Sequence, residues 1–302
     1  MKKVLMLCLS LSLLLGGCSL MNGSTDAKHK QTSDSDGWIS VQKYTGQGYS
    51  LDGGEETGKI AKAHKQEIDQ AVQKFFLKKY KTKVIVHNLV GNKDGATAFV
   101  ESVGELHFFT YCIVPINVAT KKIAADHIFT EEGQVDGAIR AGIYAMIYQK
   151  EFENLDNYFK SMTKKYPIVG LNKKAVANVG GDGYSTPYYT MLIPKEGFGD
   201  DLYHQYINEP NRNPQQWREK TKDTNAYPKM IFIAIECYMK KPDQKPSKKN
   251  FQQMISDLKK MPNIPSANYR ITLNNNEVDE SSGGSDTTYS LETGTKYGFI
   301  KY

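Results

Sequence analysis

The chain has 302 residues, with 39 Lys and Arg against 33 Asp and Glu, a formal charge of +6. The positive excess is carried by lysine, arginine being confined to Arg140, Arg212, Arg218 and Arg270. Without arginine clustered on a binding motif, this is not the composition of a nucleic-acid-binding protein.

Lys2 and Lys3 precede an apolar run from Val4 to Leu15, which ends in Leu15-Gly16-Gly17-Cys18. The run falls short of the ~20 residues that a membrane-spanning helix needs. It fits a cleaved signal over residues 1–17 that ends in a lipobox. Small residues before the cysteine let a signal peptidase seat the backbone closely, and the cysteine thiolate accepts a diacylglyceryl group. Cys18 is therefore expected to become a lipidated N-terminus that holds the chain on the extracytoplasmic face of the cell membrane, since two acyl chains anchor far more firmly than one. Loss of Lys2 and Lys3 would bring the charge to about +4, which suits contact with anionic lipid head groups, anionic wall polymer or simply water. Residues 18–37 are rich in Ser, Thr, Asp, Lys and Gly and read as a flexible tether of roughly 25 Å.

Residues 38–302 form the expected α+β extracytoplasmic body, with antiparallel sheet packed against amphipathic helices and room for two lobes, 38–168 and 188–302. Ile60, His64, Ile68, Val72, Phe76 and Tyr80 recur at helical spacing and predict a helix over 59–80. Strands are expected at 83–90, 96–103 and 106–117, the first two joined by a turn-forming Gly91-Asn92-Lys93-Asp94-Gly95, with another at 122–129. Helices over 134–149 and 152–165 follow. A glycine- and tyrosine-rich loop spans 178–187, then a strand at 188–193, helices at 200–208 and 214–220, and a strand at 229–239. A helix over 247–261, capped by Ser247, leads to a strand at 269–273 and a polar loop over 277–288.

Cys8 leaves with the signal and Cys18 takes lipid, so Cys112 and Cys237 remain in the body. Each lies in an apolar strand-like run. Both a disulfide, which needs Cα atoms within ~7 Å, and two inert buried thiols stay open.

No Gly-x-Ser-x-Gly, His-Glu-x-x-His, phosphate-binding loop, dinucleotide fingerprint or Cys-x-x-Cys occurs in the body, which weighs against the commonest enzyme classes. No pattern calls for a cofactor or a metal. His64 and Glu67 share one helix face and read as an ion pair. Asp126 and His127 are neighbours on an expected strand and would face opposite ways. His87, His107 and His204 have no local partners that suggest catalysis. The densest cluster of unusual residues is Gly180, Gly181, Asp182, Gly183, Tyr184, Ser185, Tyr188 and Tyr189. Its glycines could expose amides to an anion or a sugar hydroxyl, its tyrosines could stack on a sugar face, and Asp182 and Ser185 supply polar contacts. The same residues also suit a tight crossing loop whose tyrosines cover the core. Tyr44-Thr-Gly-Gln-Gly-Tyr49 repeats the theme.

Tyr44-Thr-Gly-Gln-Gly-Tyr49, Asp94-Gly-Ala-Thr, Phe99-Val-Glu-Ser-Val-Gly-Glu105, Glu132-Gly-Gln-Val135, Tyr144-Ala-Met-Ile-Tyr148, Asn154-Leu-Asp-Asn-Tyr158 and Gly183-Tyr-Ser-Thr-Pro-Tyr-Tyr189 resemble an uncharacterised lipoprotein family of Gram-positive bacteria. The resemblance spans nearly the whole mature chain. It implies membrane anchoring in a Gram-positive envelope and carries over no catalytic residue.

The residues favour a non-catalytic envelope protein that binds wall polymer or another envelope protein. Two other classes stay open. An importer's substrate-capturing lipoprotein would need two α/β lobes about a hinge, and a hydrolase with an unfamiliar site would need a cleft of converging titratable groups.

Overall fold

Glycine spacing rather than hydrophobic periodicity decides how the first helices meet the first sheet. In the computed structural model of the chain, residues 37–198, 202–222, 226–293 and 298–302 are described. The signal, the lipobox with Cys18 and almost all of the tether lie outside the described residues. Strand β1 (Trp38–Ser40) leads to helices α1 (Glu55–Ala63) and α2 (Lys65–Tyr80). The expected helix over 59–80 is thus two helices, separated at His64, whose φ of -105° and ψ of 20° leave the helical region. It also begins earlier than expected. Gly54 and Gly58 lie against Gly91, where an added Cβ would sit 2.0 Å from the Gly54 carbonyl oxygen and 2.3 Å from the Gly58 nitrogen. Only glycine permits that approach of helix to strand.

Strands β2 (Val84–Asn92), β3 (Gly95–Ser102), β4 (Phe109–Asn117) and β5 (Lys122–Ile123) form an antiparallel sheet in that order. Ala96, Ala98, Val100, Cys112 and Val114 face the core, buried with α2. Strand alternation turns Phe99, Glu101, Tyr111 and Ile113 to the opposite face. The register of β2 on β3 shifts between Val86 and Asn88, a bulge that gives β2 an extra residue at His87. The expected strand over 122–129 stops at Ile123. Ala125–His127 coil into a 3₁₀ turn, and Phe129 returns to exchange backbone hydrogen bonds with Ile113.

Helix α3 (Gln134–Ile147) is buried along nearly its whole length, as its apolar all-round composition requires. Helix α4 (Gln149–Lys165) buries only the stripe Phe152, Leu155, Phe159 and Met162. Then come β6 (Ile168–Val169), α5 (Lys173–Ala175), a π-helical turn (Val176–Gly180), β7 (Tyr184–Ser185) and β8 (Tyr189–Leu192). Helices α6 (Leu202–Asn208) and α7 (Pro214–Thr221) precede β9 (Phe232–Met239), α8 (Lys248–Lys260) and β10 (Ala267–Asn274), and β11 (Glu277–Asp279), β12 (Leu291–Glu292) and β13 (Phe299–Lys301) close the chain.

The second sheet runs β12-β10-β9-β8-β7, with β13 on β10 and β6 on β9. Its β9 and β10 pair in parallel through α8, while the other pairs are antiparallel. The fold is therefore α+β. Between the sheets, Phe109 and Gly183 form a bridge. Residues Gly37–Tyr302 make one compact unit.

Candidate functional site

The glycine- and tyrosine-rich stretch lies at the bridge between the two sheets, and packing accounts for most of its unusual residues. Gly181 lies against the Phe109 ring, where an added Cβ would be 2.6 Å from Cγ. Gly183 takes a φ of 64°. Its amide donates to the Phe109 carbonyl at 2.9 Å and its carbonyl accepts from the Phe109 amide at 2.8 Å. The Asp182 amide donates to Ser185 Oγ at 3.2 Å, and that hydroxyl donates to the Asp182 carbonyl at 2.8 Å. Gly180 packs near Leu171.

The three tyrosines meet core rings. Tyr189 is buried and donates its hydroxyl to Asp156 Oδ1 at 2.9 Å. Tyr188 stacks on Phe159 at 5.0 Å with planes 2° apart. Tyr184 sets its ring edgewise to Phe152 at 5.0 Å. The Asp182 carboxyl is different, because its Oδ1 is closed off from solvent and has no hydrogen-bond partner.

The second glycine-tyrosine stretch sits beside the first. An added Cβ at Gly46 would lie 3.1 Å from Asn178 Cβ, and Asn178 Nδ2 donates to the Thr45 carbonyl at 2.7 Å. Asn88, beside the bulge, donates to the Asn178 carbonyl at 3.2 Å and ties the sheet to the same place. Beyond Gly48, Tyr49 sets its ring edgewise to Phe99 at 5.9 Å, and Phe99 meets Tyr111 at 6.2 Å. These three rings line the sheet face turned away from the core.

The Asp182 and Glu131 carboxyls both bear electrostatically on Tyr111. Burial pushes the Asp182 carboxyl up to about 6, Glu131 adds like-charge repulsion, and only the Gly183 amide opposes. Burial pushes the Tyr111 hydroxyl up to about 12, with Glu131, Asp182 and Tyr49 adding to it. Glu131 is exposed, Tyr49 and Tyr111 are half-buried and Phe99 is buried. Gln134 Nε2 donates to Thr110 Oγ1 at 2.9 Å and to the Tyr111 carbonyl at 3.2 Å, leaving its own buried Oε1 without a partner. Among the described residues, neither Asp182 nor Glu131 forms an ion pair. The arrangement is rich in acceptors, poor in donors and walled by aromatic rings.

Sequence reasoning missed a second constellation. Glu101 accepts from His87 Nε2 at 2.7 Å and from His107 Nε2 at 2.8 Å. His107 also sets its ring edgewise to Tyr184 at 5.8 Å. The bulge at His87 and the β3–β4 register bring the trio together, and no local pattern announces either. His64 and Glu67 form the expected helix pair at 2.9 Å. Asp126 and His127 are exposed on the 3₁₀ turn, so the strand argument about their facing does not apply. Cys112 and Cys237 are free, separately buried thiols. Among the described residues, no group of three or more His, Cys, Asp or Glu could hold a metal ion, and no helix is long and apolar enough to cross a membrane.

A family model described as a protein of unknown function, DUF1672, matches residues 31–301. The crystal structure of a DUF1672 family protein from Staphylococcus aureus subsp. aureus Mu50 is similar, with a TM-score of 0.70 and 19% identity, covering 89% of this chain and 100% of that one. At that identity the likeness shows the fold alone. No curated protein matches.

Proposed function

Because the chain belongs to the DUF1672 family over residues 31–301, whose function is unknown, we propose that it is a non-catalytic binding protein of the cell envelope, anchored by lipid on Cys18. On this reading the tether sets the body off the membrane, and the surface around Asp182 holds cell-wall polymer. The observation that carries the proposal is the Asp182 carboxyl, half-buried with an unpartnered Oδ1, beside Glu131 and the rings of Tyr49, Phe99 and Tyr111. A buried acceptor without a donor costs ~1–3 kcal/mol, which marks Asp182 as a position kept for a reason other than stability. Aromatic rings beside carboxylates are also a common way to hold a polyhydroxylated or amine-bearing polymer. The lipobox residues Leu15-Gly16-Gly17-Cys18 support the address.

Two measurements test this. Labelled palmitate fed to cells should be incorporated into the chain and not into Cys18→Ala, and equal labelling of the two, or none of the parent, would refute lipid anchoring. The chain should co-sediment saturably with purified cell-wall sacculi, and Tyr49→Ala and Asp182→Asn should each weaken that binding. Absence of sedimentation, or no change in either variant, would refute the wall-binding role.

A further inference from the structure

We infer that a lysine-rich surface gathered around Gln42 docks the body on the anionic lipid head groups of the bilayer. The inference goes beyond the binding role proposed above and rests on the lipid anchor only for which membrane lies within reach.

Gln42 assembles the surface. Its carbonyl accepts from Asn172 Nδ2 at 2.9 Å, and its Nε2 donates to the Lys240 carbonyl at 3.2 Å. Its Oε1 accepts from Asn276 Nδ2 at 2.6 Å, and the same Nδ2 donates to the Met239 carbonyl at 2.6 Å. The Lys240 amide in turn donates to the Pro167 carbonyl at 2.8 Å. Stretches distant in sequence therefore meet here, and they bring Lys43, Lys165, Lys173, Lys174, Lys240 and Lys241. All six lysines are exposed, and among the described residues none forms an ion pair. The stretches 41–43, 164–167, 172–174 and 239–241 hold no Asp or Glu, and Asp243 is the acid that follows Lys241. Like charges gathered by tertiary contacts repel one another, and an anionic surface relieves that repulsion. Clusters of about four to eight basic residues close to a bilayer are held by anionic lipid.

Position selects lipid over a soluble polyanion. Trp38 lies four residues before Gln42 and is 45% exposed. A tryptophan with an open ring and an N–H to donate favours the level of the head groups. A soluble polyanion offers the lysines the same charge but offers Trp38 no apolar layer. Gly37 follows Cys18 by 19 residues, a span of at most ~65 Å at full extension. An anchor on Cys18 thus keeps the surface within reach of its own membrane. The body then has two positions, one set off the bilayer and one with the Gln42 surface resting on it.

The test uses the mature chain from residue 18 with Cys18→Ala, so that no acyl chain contributes. It should co-sediment with vesicles of phosphatidylglycerol and phosphatidylcholine in equal parts, not with phosphatidylcholine alone, and high salt should release it. Changing Lys43, Lys173, Lys174, Lys240 and Lys241 together to Gln should weaken binding at least about thirtyfold. Trp38→Ala should weaken it severalfold. The same change at five exposed lysines elsewhere, Lys62, Lys74, Lys78, Lys83 and Lys93, should leave binding within about twofold of the parent. Should the patch variant fold poorly, the preference for phosphatidylglycerol, its loss in salt and the Trp38 variant still decide. No vesicle binding, equal binding to both vesicle types, or equal loss in the two fivefold variants would overturn the docking surface. Binding of soluble poly(glycerol phosphate) through the same five lysines, without vesicle binding, would overturn the lipid assignment in favour of a wall polymer. Because the chain tested carries no lipid, failure here leaves the palmitate-labelling result on Cys18 standing.

Discussion

Phe109 and Gly183 exchange both backbone hydrogen bonds, at 2.8 and 2.9 Å, and thereby join the edge of the four-stranded sheet to the seven-stranded one. Asp182 is placed by that exchange, because its neighbour is fixed on β4 two residues from Tyr111. Gly183 holds a φ of 64°, and an added Cβ would lie 2.2 Å from the Met191 carbonyl oxygen. Gly183→Ala should therefore lower stability by roughly 2–4 kcal/mol, combining left-handed backbone strain with overpacking. A urea midpoint unchanged from the parent would show that the bridge tolerates a side chain.

Asp182 makes a prediction with a definite sign. Burial lifts its carboxyl from 3.8 to about 6. An acid that holds its proton more tightly when folded contributes stability that is full below about pH 4 and is lost as pH rises through about 6. A lift of that size corresponds to an order of 3 kcal/mol. Asp182→Asn should accordingly be more stable than the parent at pH 8 by up to about 3 kcal/mol, and the gap should close by pH 4. Denaturant titrations of the two proteins between pH 4 and pH 8 decide this, and parallel pH profiles would count against a buried carboxyl.

Burial pushes the thiols of Cys112 and Cys237 far above their ordinary range, and neither is bonded. Iodoacetamide at pH 8 should leave both unmodified in the folded chain and alkylate both in urea without reductant. Peptide mapping that finds them linked to each other would contradict two separate thiols.

Gly91 bears on the first helix. With Gly54 and Gly58 lying against it, Gly91→Ala forces α1 off β2 and should cost about 2–4 kcal/mol, while Gly104→Ala, where nothing lies within 4 Å of an added Cβ, should cost ~1–2 kcal/mol through its φ of 119° alone. Equal thermal shifts in the two variants would remove close packing as the reason for glycine.

How much could be read in advance depends on the distance over which each feature is encoded. Phe251, Met254 and Leu258 mark the buried face of α8 within one helix, and that helix forms at nearly the expected bounds. The strands β6, β7, β12 and β13 have two or three residues each, too few for alternation to register. Both glycine-tyrosine stretches stand out by composition, and Asp182 with them. The partners that give Asp182 its character do not: Tyr111 and Glu131 are ordinary strand and loop residues until the Phe109–Gly183 bridge brings them near. Glu101 is equally silent, since its two histidines reach it through a bulge and a register rather than a spacing. Tyr184, Tyr188 and Tyr189 look alike in sequence to tyrosines that cover a core and to tyrosines that cover a ligand, and their rings lie against Phe152 and Phe159.

The short strand β1 has a mechanical consequence. Trp38, Ile39 and Ser40 pair with Asp279, Val278 and Glu277, and the Glu280 amide donates to the Gly37 carbonyl at 2.7 Å. A pull delivered along the preceding segment is therefore resisted first by a ladder of only three residues. Behind it stand Val41 and Tyr44, both sunk in a small apolar cluster with Tyr238 and Val278, which act as a stopper once the ladder opens. Tyr49 lies five residues past that stopper and rests on Phe99. Tension strong enough to draw Tyr44 out would pull Tyr49 off Phe99, so the outer face of the first sheet would be uncovered early under load.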